Sequence, residues 1–242
     1  PKNILSSSSS PKNILSSSPK TNVKNLIEID KIILNIPEDN YSEILCKWHP
    51  KPVYLIGVEG GPNNLLNALL KGYYKEYQNS TDQNFKKKLI QKLRMDLGYA
   101  LNVMVPNDPL NRNYYQISPF IKLKQQNKGK TSVDSVGNKI IYDLEGIQQL
   151  FYSQKFLGIE SLSYIGQMLG IDIIVLKSTD NLKFVTSTFD IKKGTSKKII
   201  VISGLPKHYN LVSLIRNGKF QTFFFSNDEF ITSIKNTIKN TI

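Results

Sequence analysis

His208 and Asn210 stand two residues apart in the run HYNLVSLI, which reads as a strand, so their side chains share a face while Tyr209 points the other way. An imidazole that titrates near neutrality beside a carboxamide that can fix its tautomer is a general base with its orienter. Such a pair activates a thiol or hydroxyl in nucleophilic hydrolases; the plainer reading is a partly buried polar pair at a strand end, and the pair alone favours that one, becoming of interest only together with a helix N-terminus. The complementary position is the start of a helix, where unpaired backbone N–H groups and the helix dipole favour a thiolate and can bind an oxyanion. Residues 57–64, GVEGGPNN, supply one: the apolar strand Val53–Ile56 passes through a glycine turn straight into a helical pattern. The residue at that helix start is Asn64, whose carboxamide cannot ionise to a nucleophile near neutral pH. Cys46 is the single cysteine and His49 the only other histidine. They precede the strand Val53–Ile56 and are expected at its far end from the turn, as an ordinary semi-buried thiol beside a segment anchored by Trp48.

The elements that must hold these groups are legible as periodicities. Leu65, Leu66, Leu69 and Leu70 recur at helical spacing from 64 to about 77, with Asn63 or Asn64 as N-cap and Pro62 just before. Thr81 and Asp82 cap a longer helix whose Phe85, Leu89, Leu93, Leu97 and Ala100 form an apolar stripe, its other face turning Lys86, Lys87, Lys88, Lys92 and Arg94 to solvent. From 106 to 138 the pattern weakens, with one helical stretch near 119–125. Residues 143–156 and 159–169 read as a helix pair closed by a left-handed cap at Gly170. Ile171–Leu176 is a continuous apolar run suited to burial on both faces; strands at 182–188 and 198–202 follow. The runs 208–215 and 219–225 flank Asn217-Gly218, the strongest short hairpin signal. A short helix is expected at 41–48. The fold class is α+β, a mostly antiparallel central sheet flanked by helices.

Composition bounds the function. The chain has 242 residues, 40% hydrophobic, enough for one domain with its own core. PKNILSSS occurs twice, at 1–8 and 11–18, so 1–21 is expected to be a disordered serine- and proline-rich linker and 22–242 the folded domain, a piece of a longer polypeptide. One cysteine excludes an intramolecular disulfide framework and a cysteine-rich zinc site and fits a reducing compartment. No run is long and apolar enough to span a bilayer, and no metal or cofactor motif occurs. The net charge of +13 makes nucleic acid a partner to weigh, but the lysines are spread over several elements with little aromatic interleaving, so it ranks behind a protein partner.

Gly61-Pro62-Asn63-Asn64-Leu65-Leu66-Asn67-Ala68 resembles the D-G-N-C-L-F-x-A block of the ovarian-tumour (OTU) family of cysteine deubiquitinases, and His208-Tyr209-Asn210 resembles that family's H-Y-N/D strand. The order of elements between the two blocks is similar as well, over roughly residues 53–225. The resemblance implies a papain-like, OTU-like fold, a catalytic centre at Asn64, Gly61, His208 and Asn210, no cofactor, and ubiquitin or a ubiquitin-like protein as partner. The departures bear on activity. Asn64 stands where the family has its cysteine, and loss of a triad nucleophile costs on the order of a million-fold in another hydrolase. Gly61 replaces aspartate and Pro62 replaces glycine, and proline has no N–H to offer an oxyanion. The expectation is therefore a catalytically inactive module that binds ubiquitin or another protein, from a large DNA virus and acting in the host cytoplasm or the virion. Two alternatives stand beside it: an active deubiquitinase whose cysteine was replaced by Asn64 through engineering, and a basic nucleic-acid-binding or virion structural protein.

Overall fold

The computed structural model describes residues 36–45, 49–176, 197–205 and 207–239. In chain order the elements are β1 (Tyr41–Ile44), β2 (Val53–Ile56), α1 (Asn64–Tyr73), α2 (Lys75–Asn79), α3 (Gln83–Ala100), α4 (Tyr114–Ile117), α5 (Phe120–Gln126), β3 (Ser132–Val133), β4 (Lys139–Ile140) and α6 (Leu144–Tyr152). A 3-10 turn, Ile159–Ser161, leads into α7 (Leu162–Leu169), followed by β5 (Ile171–Leu176), β6 (Lys198–Leu205), β7 (His208–Arg216), β8 (Lys219–Gln221) and α8 (Glu229–Lys239).

Among the described residues the main sheet runs β1-β2-β7-β6-β5, with β8 added to the far end of β7. All pairings are antiparallel except β5 with β6. The chain is thus an α+β domain with a mainly antiparallel sheet flanked by helices. One face of the sheet, through Ile56, Ile173, Ile200, Ile202 and Leu211, packs on α1, α3, α6 and α7. The other, through Val53, Leu55, Val201, Val212 and Leu214, packs on Phe230, Ile231 and Ile234 of α8. Every residue of β5 is buried, as its unbroken apolar sequence requires of a strand covered on both faces. The β7–β8 hairpin turns at Asn217 (φ 50°) and Gly218 (φ 72°), both in the left-handed region that a two-residue turn demands. No described helix is long and apolar enough to cross a membrane.

Several expectations are corrected. Residues 41–44 form a strand, because Tyr41 to Ile44 pair in register with Ile56 to Val53 and that ladder outweighs any local helical tendency. The helix from 64 breaks at Tyr74, which is extended (φ −102°, ψ 106°), so that α2 can swing Tyr77 into the core to donate to Asn67 Oδ1 at 2.7 Å. The helix expected over 143–156 stops at Tyr152, and the strand expected over 219–225 ends at Gln221, after which Phe224 returns to bridge Ile199. On α3, Lys86 and Arg94 are buried rather than solvated. Lys86 pairs with Glu38 at 2.9 Å and lies over the Tyr77 ring at 5.3 Å. Lys71 of α1 bonds both Asp39, at 2.5 Å, and the Gly57 carbonyl, at 3.0 Å, so two lysines hold the turn before β1 against the helices. The linker, Cys46, Trp48 and the strand expected at 182–188 lie outside the described residues.

Candidate functional site

Gly61 opens the turn into α1 with φ +82°, and its carbonyl accepts from Asn64 N at 3.0 Å. Asn63 occupies the N-cap position but does not cap: its Oδ1 accepts from Arg94 Nε at 2.7 Å. Asn64 is the first residue of the helix and is fully buried. Its Nδ2 donates to the Glu59 carbonyl at 3.1 Å, and its Oδ1 accepts from the backbone N–H of Tyr209 in β7. One turn on, Asn67 repeats the first contact, donating to the same Glu59 carbonyl at 3.1 Å while its oxygen accepts from Tyr77. The two sequence blocks, 145 positions apart, are therefore joined by the Asn64 carboxamide itself.

At the other side of that bond, β7 begins beside β6, where Gly204 faces Tyr209. A Cβ at Gly204 would stand 2.0 Å from the His208 carbonyl oxygen, so only glycine lets the two strands approach here. Side chains alternate along β7: Tyr209 and Leu211 enter the α1 layer, and Asn210 lies on the α8 face with Val212 and Leu214. His208 Nε2 and Asn210 Oδ1 are both buried without a hydrogen-bond partner, so the carboxamide oxygen expected to orient the imidazole does not accept from it. Burial holds the His208 pKa below its ordinary value and keeps the ring neutral at pH 7. Burial, with the charge of Glu160 adding to it, pushes the Tyr209 phenol up to about 12. The structure thus brings Asn64 to the backbone next to His208, leaves Gly61 exposed at the turn, and makes no hydrogen bond between Asn64, the His208 ring and the Asn210 side chain.

Arg94 is the residue of this region that the periodicity reading missed. Its side chain, 1% exposed, donates only to uncharged oxygens: Asn63 Oδ1, the Pro62 carbonyl at 3.2 Å, the Leu150, Phe151 and Ser153 carbonyls at 3.3, 3.3 and 2.7 Å, and the Lys155 carbonyl at 2.6 Å. Those from α6 are its last-turn carbonyls, the negative end of its dipole, which favours a cation there. Burial alone lowers the guanidinium pKa to about 10, leaving it charged at neutral pH. The signal was present in the sequence, because Arg94 stands four residues after Ile90 and three before Leu97, inside the apolar stripe. His49 lies elsewhere, its Nδ1 3.3 Å from Ser233 Oγ and its ring 5.1 Å from Phe230 of α8. Among the described residues no group of three or more histidine, cysteine, aspartate or glutamate side chains could hold a metal ion.

No protein-family model matches this chain, and no curated protein does. Among solved structures the OTU domain of OTUD1 is similar, with 17% identity and a TM-score of 0.40 over 66% of this chain and 85% of that one. Likeness at that level assigns neither family nor activity, and the functional reading rests on the residues described above.

Proposed function

We propose that this chain is an OTU-like domain without cysteine-protease chemistry, retained as a module that binds ubiquitin or a ubiquitin-like protein. The observation that carries the inactive half of this reading is the state of Asn64. At the helix start where the chemistry needs a thiolate, the chain has a buried carboxamide with both ends engaged, donating to Glu59 and accepting from Tyr209. A group so used is a structural tie between α1 and β7. Two further features agree: Pro62 has no N–H for an oxyanion, and the Asn210 oxygen does not orient the His208 ring. The ubiquitin half rests on the likeness of the two sequence blocks to the OTU pattern.

Titrating isotope-labelled protein with ubiquitin, and incubating the same protein with a ubiquitin probe carrying a thiol-directed warhead, tests both halves. The expected result is saturable shifts of backbone resonances around residues 57–64 and 207–210 with no covalent adduct. Adduct formation would refute the inactive reading, and unchanged spectra at high ubiquitin concentration would refute ubiquitin itself as the partner.

A further inference from the structure

The residues that α3 turns to solvent change character along its length. Lys87, Lys88 and Lys92 are exposed in its first part; Met95 and Tyr99, 49% and 70% exposed, follow. Positions three and four apart adjoin on a helix, so Lys88, Lys92, Met95 and Tyr99 form one continuous ridge. The ridge runs into a groove of about 470 Å³ that Tyr99 and Val103 share with Tyr114 of α4 and Met168 of α7. Met104, the residue after Val103, is 51% exposed, so all three methionines of the chain lie on this surface or next to it. Single exposed apolar residues need no explanation. Methionine and tyrosine gathered at a groove with a charged approach have the composition of a recognition surface, because a thioether adapts its shape and a tyrosine contributes a large rigid area. The candidate site does not use these side chains, since the α3 residue that serves it is the buried Arg94.

We propose that this ridge and groove bind an acidic peptide segment of a partner protein, with an apolar residue seated among Tyr99, Tyr114 and Met168 and carboxylates following toward Lys88 and Lys87. Charge selects the occupant. The chain carries +13, and residues 109–133, which include Tyr114 of the groove, hold Lys122, Lys124, Lys128 and Lys130 with no acidic residue, while Arg112 in that stretch is paired with Asp108 at 2.7 Å. Asp96, the one carboxylate among the described residues lining the groove, is paired with Lys92 at 2.7 Å. A second copy of the chain would bring its own net charge of +13 against this one's. A nucleic acid would engage the lysines and leave the thioether end unused. The proposal stands independently of the ubiquitin reading.

The test is fluorescence anisotropy of the full chain with a labelled synthetic peptide in which Leu-Phe precedes a run of glutamates. The comparison ligands are the same peptide with Ser-Ser for Leu-Phe, the same peptide with lysines for glutamates, and an oligothymidylate. The Leu-Phe-glutamate peptide is expected to bind most tightly and to weaken as salt rises. Tyr99→Ala and Lys88→Glu, both at exposed positions that leave the core intact, are each expected to weaken it about tenfold, the scale of an interface anchor. Equal binding of the Ser-Ser peptide, tighter binding of the oligothymidylate, indifference to Tyr99→Ala, or no binding of the Leu-Phe-glutamate peptide would each overturn the proposal. So would concentration-dependent dimerisation of the unliganded chain that Tyr99→Ala abolishes, because the face would then belong to a second copy.

Discussion

Arg94 shows how a single side chain can hold a turn in place. Its guanidinium joins the Pro62-Asn63 turn to the end of α6 through six oxygens, none of them charged. Arg94→Ala would leave buried carbonyls unpaired and is expected to cost about 3 kcal/mol in denaturant unfolding. Arg94→Lys should recover little, since one ammonium cannot reach oxygens on both sides of a planar fork. The histidines give a pH signature. Burial lowers the pKa of both His208 and His49 below their ordinary value of 6.5. Each therefore takes up its proton at higher pH in the unfolded chain than in the native one. These two groups add no pH dependence well above 6.5, and stability falls as pH drops from 6.5 toward the native values. Unfolding midpoints measured between pH 7.5 and 5.5 should decline, and His208→Gln should flatten part of that decline.

At the scale of elements, local signals and tertiary decisions separate cleanly. Asp82 caps α3 as its sequence context predicts, accepting from Asn84 N at 2.8 Å and Phe85 N at 3.2 Å. Asp82→Ala should cost about 1 kcal/mol, a fall of roughly 2–4 °C in thermal midpoint for a domain of this size. The cap, the Asn217-Gly218 turn, the buried run of β5 and the glycine turn before α1 were legible because each depends on a few adjacent residues. Residues 41–44 were not, because their strand exists through pairing with β2. Nor was the burial of Lys86, whose partner Glu38 lies 48 positions away, or of Arg94, whose acceptors reach as far as Lys155. The Asn63 cap position was readable, but its side chain is drawn off by Arg94, which no reading of residues 60–67 alone could reveal. At the candidate site the sequence pointed to Asn64 and His208 as one locality; that the contact would run from a carboxamide to the strand backbone required the fold.

In the whole molecule, the sheet carries α1 on one face and α8 on the other, and the Asn64 bond to Tyr209 fastens the α1 layer to the strand at its centre. The α3 ridge proposed for an acidic peptide is distinct from the surface proposed for ubiquitin, so on that proposal Tyr99→Ala should leave any ubiquitin-induced shifts unchanged, which titration of the variant with ubiquitin checks. The central claim, that position 64 is a structural tie in a module without thiol chemistry, is tested most directly by Asn64→Cys assayed for stability and for cleavage of ubiquitin chains. A thiol there is buried, cannot replace both hydrogen bonds of the carboxamide, and follows by two positions a proline with no N–H to offer. The predicted result is a loss of about 1–3 kcal/mol in unfolding free energy with no cleavage. Efficient cleavage by Asn64→Cys with stability unchanged would contradict the account and mark residue 64 as the seat of a nucleophile.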